Sequence, residues 1–368
     1  MRILIAPEKV KGSLKAGEVA ARIADGLREV RSDAEIEIQT VADGGEGTAD
    51  LIREACGGEW ITCAAHDALG RAIEARYVWL SESATAVVEM SEAAGVWRIA
   101  AQERDPIRAN TFGVGEMLRD ATQREAKEII IGLGGSATND GGSGMARALG
   151  FRFLNKGGGE LTGPVTDLRD LERISSPGDF ILPRVTAATD VLNPLLGQRG
   201  ATRTFGPQKG ATPDQLVLLE KALTRLADVV ARDLGCDFRE IPGAGAAGGL
   251  GFGLMSFCGA TVRPGFDLVA EMVDFEAAVR RADVVITGEG SLDEQTLEGK
   301  APAGVARLAR KLGKRVFAIV GCAAEGGTSR DLFDGVLVLA TPPITREESM
   351  ARTAELLQER ARELAQMM

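Results

Sequence analysis

Apolar positions recur along this chain in two alternating rhythms. Residues 2–6 form a short apolar run, Ala16, Val19, Ala20, Ile23, Leu27 and Val30 follow at helical spacing, and a second run occupies 35–42. A short continuous apolar run suits a strand buried on both faces, and recurrence every three or four residues suits a helix with one buried stripe. Ser13 is the expected cap of that helix. Thr48, Leu51, Ile52 and Ala55 then predict a short helix stopped by Gly57 and Gly58. The C-terminal segment repeats the grammar, with strands at 283–287, 315–320 and 335–340, a crossover helix at 302–312 ending at Gly313, and a last helix opened by Thr345 and Glu348 as a capping box. Two N-terminal and three C-terminal strands predict a doubly wound parallel sheet of the flavodoxin type, an α/β fold.

The middle of the chain has another order. Strands at 72–80 and 84–89 flank a turn at 81–83, a helix near 111–126 follows, and a further strand occupies 128–133. Thr212 and Gln215 form a second capping box, with Pro213 at the first helical position and Gly235 as the stop. The expectation is one α/β domain at 1–62 and 282–368, with a second α/β domain inserted at 63–281. The strand at 128–133 fits either the inserted domain or a sixth place in the main sheet.

Composition narrows the chemistry. The 368 residues include 46 glycines and a single histidine, His66, and carry a net charge of −10. A single histidine excludes metal sites built on two or three, and His66, beside Asp67 and Gly70, reads as a turn residue. Catalysis then rests on carboxylates, lysines and backbone amides. Five cysteines without a CxxC pair read as reduced thiols of a cytoplasmic protein. No basic block invites nucleic acid, and no stretch of about 18 apolar residues invites a membrane. A dimer is the default for such an enzyme, though no motif specifies one.

The glycines gather with polar residues at the ends of expected strands. DGGEGT (43–48) follows the second strand, where a ligand crevice lies in open α/β sheets; Asp43 and Glu46 there suit a bridging Mg²⁺ or a polar organic substrate. GLGGSATNDGG (132–142) makes a hydrogen-bonding cup for a carboxylate or another anion. Asp190 and Asn193 end another strand, and FGPQKGA (205–211) presents Lys209 on a turn. PGAGAAGG (242–249) formally contains GxGxxG, but it lacks the strand before it and the acid after it that a dinucleotide site requires. TGEGSLDEQTLEGK (287–300) combines acids, amides and Lys300 between a strand and a helix, residue types that suit phosphoryl transfer. A nicotinamide-dependent dehydrogenase using PGAGAAGG is the competing reading, and a kinase for another small hydroxy acid is the nearer one.

Together, DGGEGT, GLGGSATNDGG, DVLNP, FGPQKGA, PGAGAAGG and TGEGSLDEQTLEGK resemble the bacterial D-glycerate kinase family in its glycerate 2-kinase form. The resemblance implies ATP-dependent phosphorylation of D-glycerate, at the 2-hydroxyl, with Mg²⁺. It also implies a flavodoxin-like domain carrying an inserted domain of restriction-enzyme-like topology, with the active site in the cleft between them. Two stretches depart from the pattern. Glu8 and Lys9 stand where relatives more often have Asp-Ser, which favours Lys11 over Lys9, and Ser291 stands where many relatives have Arg. Glycerate needs a cation and neutral donors, so Ser136, Thr138 and Asn139 with the Gly134 and Gly135 amides are expected to bind the acid or a phosphate. Asp43, Glu46 and Glu289 are candidates for Mg²⁺ or hydroxyl contacts, Asp43 and Glu289 foremost for the metal. Lys11, Lys209 and Lys300 are candidates to neutralise phosphoryl oxygens, and Asp190, then Asp293, to accept the hydroxyl proton. Gly44, Gly45, Asp140, Asn193, Gly288 and Gln295 complete the set expected to touch substrate or nucleotide.

Overall fold

The computed structural model describes residues 1–10, 12–178, 181–292, 300–323 and 331–368. The chain opens with β1 (Arg2–Pro7), α1 (Ala16–Val30) and β2 (Glu35–Ile38). It continues through α2 (Thr48–Cys56), β3 (Glu59–His66), β4 (Ala72–Leu80), β5 (Thr85–Glu89), α3 (Ser91–Ala94), α4 (Phe112–Gln123), β6 (Glu128–Gly132) and α5 (Ser143–Ala148). Then come β7 (Arg152–Asn155), β8 (Leu171–Ser175), β9 (Arg184–Ala188), α6 (Ala201–Phe205), α7 (Pro213–Leu234), α8 (Ala246–Cys258) and β10 (Thr261–Arg263). The return consists of α9 (Gly265–Met272), α10 (Phe275–Arg281), β11 (Val284–Leu292), α11 (Ala301–Lys311), β12 (Arg315–Ala323), β13 (Gly335–Val338), α12 (Arg346–Ala351) and α13 (Thr353–Met367). Among the described residues, no helix is long and apolar enough to cross a membrane.

Two compact units result, Met1–Asp43 with Phe266–Met368, and Gly44–Gly265. The crossings therefore fall earlier than the expected boundaries at 62/63 and 281/282. Side-chain packing explains the difference: α2 lies against β4 and β5 of the second unit, and α10 lies against β1 and α11 of the first. Adjacency in sequence had grouped each helix with the wrong neighbour.

The first unit is a five-stranded sheet in the order β13-β12-β11-β1-β2, with every pair parallel. Successive side chains of a strand face opposite sides, so β1 serves two cores. Ile3 and Ile5 join Val19, Ile23 and Leu27 of α1 and Leu356 and Leu364 of α13, while Leu4 and Ala6 join Phe275 of α10 and Val305 of α11. Helices on both faces explain why these strands read as continuous apolar runs.

The second unit holds a six-stranded mixed sheet, β10-β9-β6-β5-β4-β3, in which the β3–β4 and β4–β5 pairs are antiparallel and the others parallel. β6 sits between β5 and β9, so the strand expected at 128–133 belongs here and not to the main sheet. The chain is thus α/β, and among the described residues it has one parallel sheet, one mixed sheet and the antiparallel β7–β8 pair.

Three local expectations change. Residues 288–292, beyond the expected strand end at 287, extend β11, and Ser291 still pairs with Cys322 of β12. The single C-terminal helix is two, broken at Arg352, with Thr345 capping the first by accepting the Glu348 amide. Lys15, not Ser13, precedes α1; the Ser13 hydroxyl donates instead to the Met350 carbonyl at 3.1 Å. The Thr212–Gln215 capping box is present as expected, with both of its hydrogen bonds.

Candidate functional site

In the first unit the chain builds outward in both directions from the β1/β11 pair: β1 leads to β2 on one side, and β11 to β12 and β13 on the other. The carboxyl ends of strands at such a reversal form the usual ligand crevice of an open α/β sheet. Pro7 pairs with Gly288, and the Glu8 amide donates to the Gly288 carbonyl at 2.8 Å, which places Glu8 at this reversal. Glu289 follows on β11, with its residue only 5 % exposed, and Lys300 at the amino end of α11 stands 3.9 Å from its carboxylate.

Glu8 was not among the residues expected to act. Burial pushes its carboxyl up to about 8; Asp43 and Glu289 add to the rise, while Lys9 and Lys300 oppose it. Three carboxylates and two ammonium groups therefore interact around Glu8 at this reversal. Carboxylates pressed together this way release repulsion when a cation or a proton arrives. Among the described residues, no three His, Cys, Asp or Glu side chains are arranged to hold a metal by themselves. Asp43 and Glu289 nonetheless offer hard oxygen atoms, and Mg²⁺ commonly takes one or two carboxylates and completes its shell with water and phosphate. Lys11, Asp293 and Gln295 lie outside the described residues.

The second unit assembles the remaining motifs through their backbones. Gly44 has φ +86°, and a Cβ on it would lie 2.7 Å from the Ala188 carbonyl oxygen at the end of β9. Gly248, with φ +68°, lies directly against the Thr138 carbonyl, and its own carbonyl accepts the Gly141 amide at 3.0 Å. Much of the glycine enrichment thus serves backbone-on-backbone packing between loops. Glu89, at the end of β5, accepts the Gly47 and Ala49 amides at 2.9 and 2.8 Å and so anchors the start of α2.

Asp140 is fully buried and fully engaged. Its Oδ2 accepts from the Thr111 amide and hydroxyl, both at 2.9 Å, and from the Gly144 amide at 3.0 Å; its Oδ1 accepts the Gly142 amide at 3.1 Å. Thr138 and Asn139 are buried too, and the Asn139 amide nitrogen donates to the Thr202 hydroxyl at 2.9 Å. Lys209 is 3 % exposed and donates to the Thr138 carbonyl at 2.6 Å. Burial pushes its ammonium down to about 7, with Asp140 resisting the fall. Here the lysine braces a loop from inside. Gly134 and Ser136 are partly exposed and Gly135 is exposed, as is Glu46, so this edge of the loop remains open to a ligand.

Asp190 lies two residues beyond β9, and its Oδ1 accepts the Gly265 amide at 2.8 Å. The Asn193 side chain donates to the Arg199 carbonyl at 2.6 Å. The segment 243–249 follows no strand and is buried, Gly243 and Gly245 against residues 189–194 and Gly248 and Gly249 against the 138–142 loop, so its backbone is not presented to a dinucleotide. His66 ends β3, with its Nδ1 3.0 Å from Glu116.

Open strand ends, glycine loops, carboxylates and lysines without a histidine define an α/β protein equipped to handle small anions. The family model described as "Glycerate kinase family" matches residues 3–368, and the chain belongs to that family. It is 38 % identical to the glycerate kinase of Bacillus subtilis strain 168 over 99 % of this chain and 97 % of that one. It is 39 % identical to the glycerate 2-kinase of Escherichia coli K12 over 95 % of this chain and 93 % of that one. A crystal structure assigned as glycerate kinase 2 of Salmonella typhimurium LT2 superposes with a TM-score of 0.82 at 39 % identity, covering 100 % of this chain and 98 % of the other.

Proposed function

We propose that this chain is an enzyme that transfers the γ-phosphoryl group of ATP to D-glycerate, at the 2-hydroxyl, giving 2-phosphoglycerate. The observation that carries the reading is the group of Glu8, Asp43, Glu289, Lys9 and Lys300 at the β1/β11 reversal. Phosphoryl transfer asks little covalent chemistry of a protein; it needs charge stabilisation and positioning, which carboxylates with a cation and lysines supply without histidine. Asp43 and Glu289 would hold Mg²⁺, which when bound neutralises phosphate oxygens. Lys300 takes phosphoryl oxygens as a point charge. The Gly134 and Gly135 amides and Ser136, on the open edge of their loop, take the substrate carboxylate or a phosphate. Asp190, oriented by the Gly265 amide, accepts the hydroxyl proton.

The fold belongs to the same reading. Counted from β1 along the chain, the first unit's strands lie in the order 2-1-3-4-5, which supports a flavodoxin-like sheet. The second unit is taken as the inserted domain of restriction-enzyme-like topology. A cytoplasmic location is supported by five cysteines, none of them in a disulfide.

The test is ADP release with Mg²⁺ across D-glycerate, L-glycerate, hydroxypyruvate and tartronate, each repeated with EDTA. D-glycerate should turn over fastest, with loss of turnover on chelation, and phosphorus NMR should place the phosphate on the 2-hydroxyl. Absence of ADP release with all four acids would overturn the proposal.

A further inference from the structure

The first unit contains a cavity of about 580 Å³ between α9, α10 and α11. Its volume lies within the range of small-molecule sites, roughly 300–1,000 Å³. Nothing in the reaction chemistry above uses it. Three features give it a chemical character. Phe266, Ala270, Ala277 and Leu308 make an apolar floor, with the Phe266 ring lying directly on Gly304, where any side chain would displace it. Asp267, exposed on α9, is one of four acids in the lining, and Arg307 is one of its three basic side chains. An apolar slot with a carboxylate for hydroxyl groups and a guanidinium able to stack on an aromatic plane suits a purine nucleoside.

The second argument is the direction of α11. Gly304, Arg307, Leu308 and Lys311 line the cavity at spacings of three and four, so they occupy one face of this helix. Lys300 stands at the amino end of the same helix, beside Glu289 at the reversal of the sheet. That end carries no acidic residue in its first turn, as suits phosphate at a helix N-terminus. From Lys300 to Lys311 the helix rises about 17 Å, the scale of an extended nucleoside triphosphate. One helix therefore leads from the charged cluster to an apolar slot.

We infer that this cavity receives the nucleoside of ATP, with the phosphates running along α11 toward Lys300. The inference rests on the kinase reading and adds to it which unit holds the nucleotide. In the full-length protein, ultraviolet labelling with 8-azido-ATP should mark peptides from 265–281 or 301–311, and excess ATP should protect them. Ala270→Phe and Ala277→Phe, which fill the slot from half-buried positions, should each raise the KM for ATP about tenfold or more while leaving the KM for D-glycerate unchanged. Protected label found only elsewhere would overturn the assignment, as would two folded variants with the wild-type KM for ATP. If the wild-type protein released no ADP with any acid, the kinase reading would fall, whereas the labelling pattern would still judge the cavity by itself.

Discussion

The two units use charge in opposite ways. In the second unit Asp140 and Lys209 are buried and hydrogen-bonded inside, Asp140 accepting from the Thr111 amide and hydroxyl and the Gly142 and Gly144 amides, and Lys209 donating to the Thr138 carbonyl. In the first unit Glu8, Asp43 and Glu289 press on one another at the end of a sheet, with Lys9 and Lys300 as partial compensation. Buried charges saturated by hydrogen bonds hold a shape, because leaving any of those groups unpaired is expensive. Carboxylates held near one another remain responsive to a cation, a proton or a phosphate. The same residue types are thus hydrogen-bonded into the interior in one unit and gathered as interacting charges in the other.

The largest effect should come from breaking the brace. Asp140→Ala strands the Thr111, Gly142 and Gly144 donors in the interior and should destabilise the second unit by about 3–5 kcal/mol, read by urea or calorimetric unfolding. An unchanged midpoint would refute the bracing role.

A lysine in each unit sharpens the contrast. Lys300→Met should lower kcat about 10²-fold or more with an unchanged melting temperature, since it removes charge stabilisation at the reacting group. Lys209→Met should instead act through the loop, raising the KM for D-glycerate more than it lowers kcat. Interchanged results would reverse the assignment of the two lysines.

A pair of opposite pH slopes, measured without ATP or Mg²⁺, tests the same contrast. Glu8 has a carboxyl pushed up to about 8, so between the ordinary carboxylate range and pH 8 the folded state binds more protons than the unfolded chain, and stability falls as pH rises. Lys209 has an ammonium pushed down to about 7, so between pH 7 and the ordinary lysine range the folded state binds fewer protons, and stability rises with pH. Glu8→Gln should flatten the first limb and Lys209→Met the second. Parallel shifts of the whole curve would show that neither group titrates as stated.

Local features were legible because their causes are local. Helical spacing from Ala16 to Val30, the Thr212–Gln215 capping box and the strand at 72–80 involve residues within a few positions of one another. The clustering of glycine with Asp, Asn and Lys pointed to the right segments, and the six motifs carried the family. The roles within those segments were less legible. Thr138, Asn139 and Asp140, expected in a ligand cup, are buried, and the kinked start of α8 at 248–249 lies against Thr138 and Asn139. Glu89 and Thr111, which anchor two motifs, had no signal beyond their places at the end of a strand and the start of a helix.

Periodicity, caps and glycine content by themselves determined that this is an α/β chain and where most of its elements lie, and the six motifs carried the resemblance to its family. Only the tertiary structure decided which charges meet. Glu8 gained its neighbours when β1 paired with β11 and the Thr287 hydroxyl reached the carbonyl of Ala6, 281 positions away. Lys209 lost solvent when its turn folded onto Thr138, 71 positions away. The acidity of a side chain depends on the charges and the water around it, and those are set by contacts between segments that no local pattern encodes.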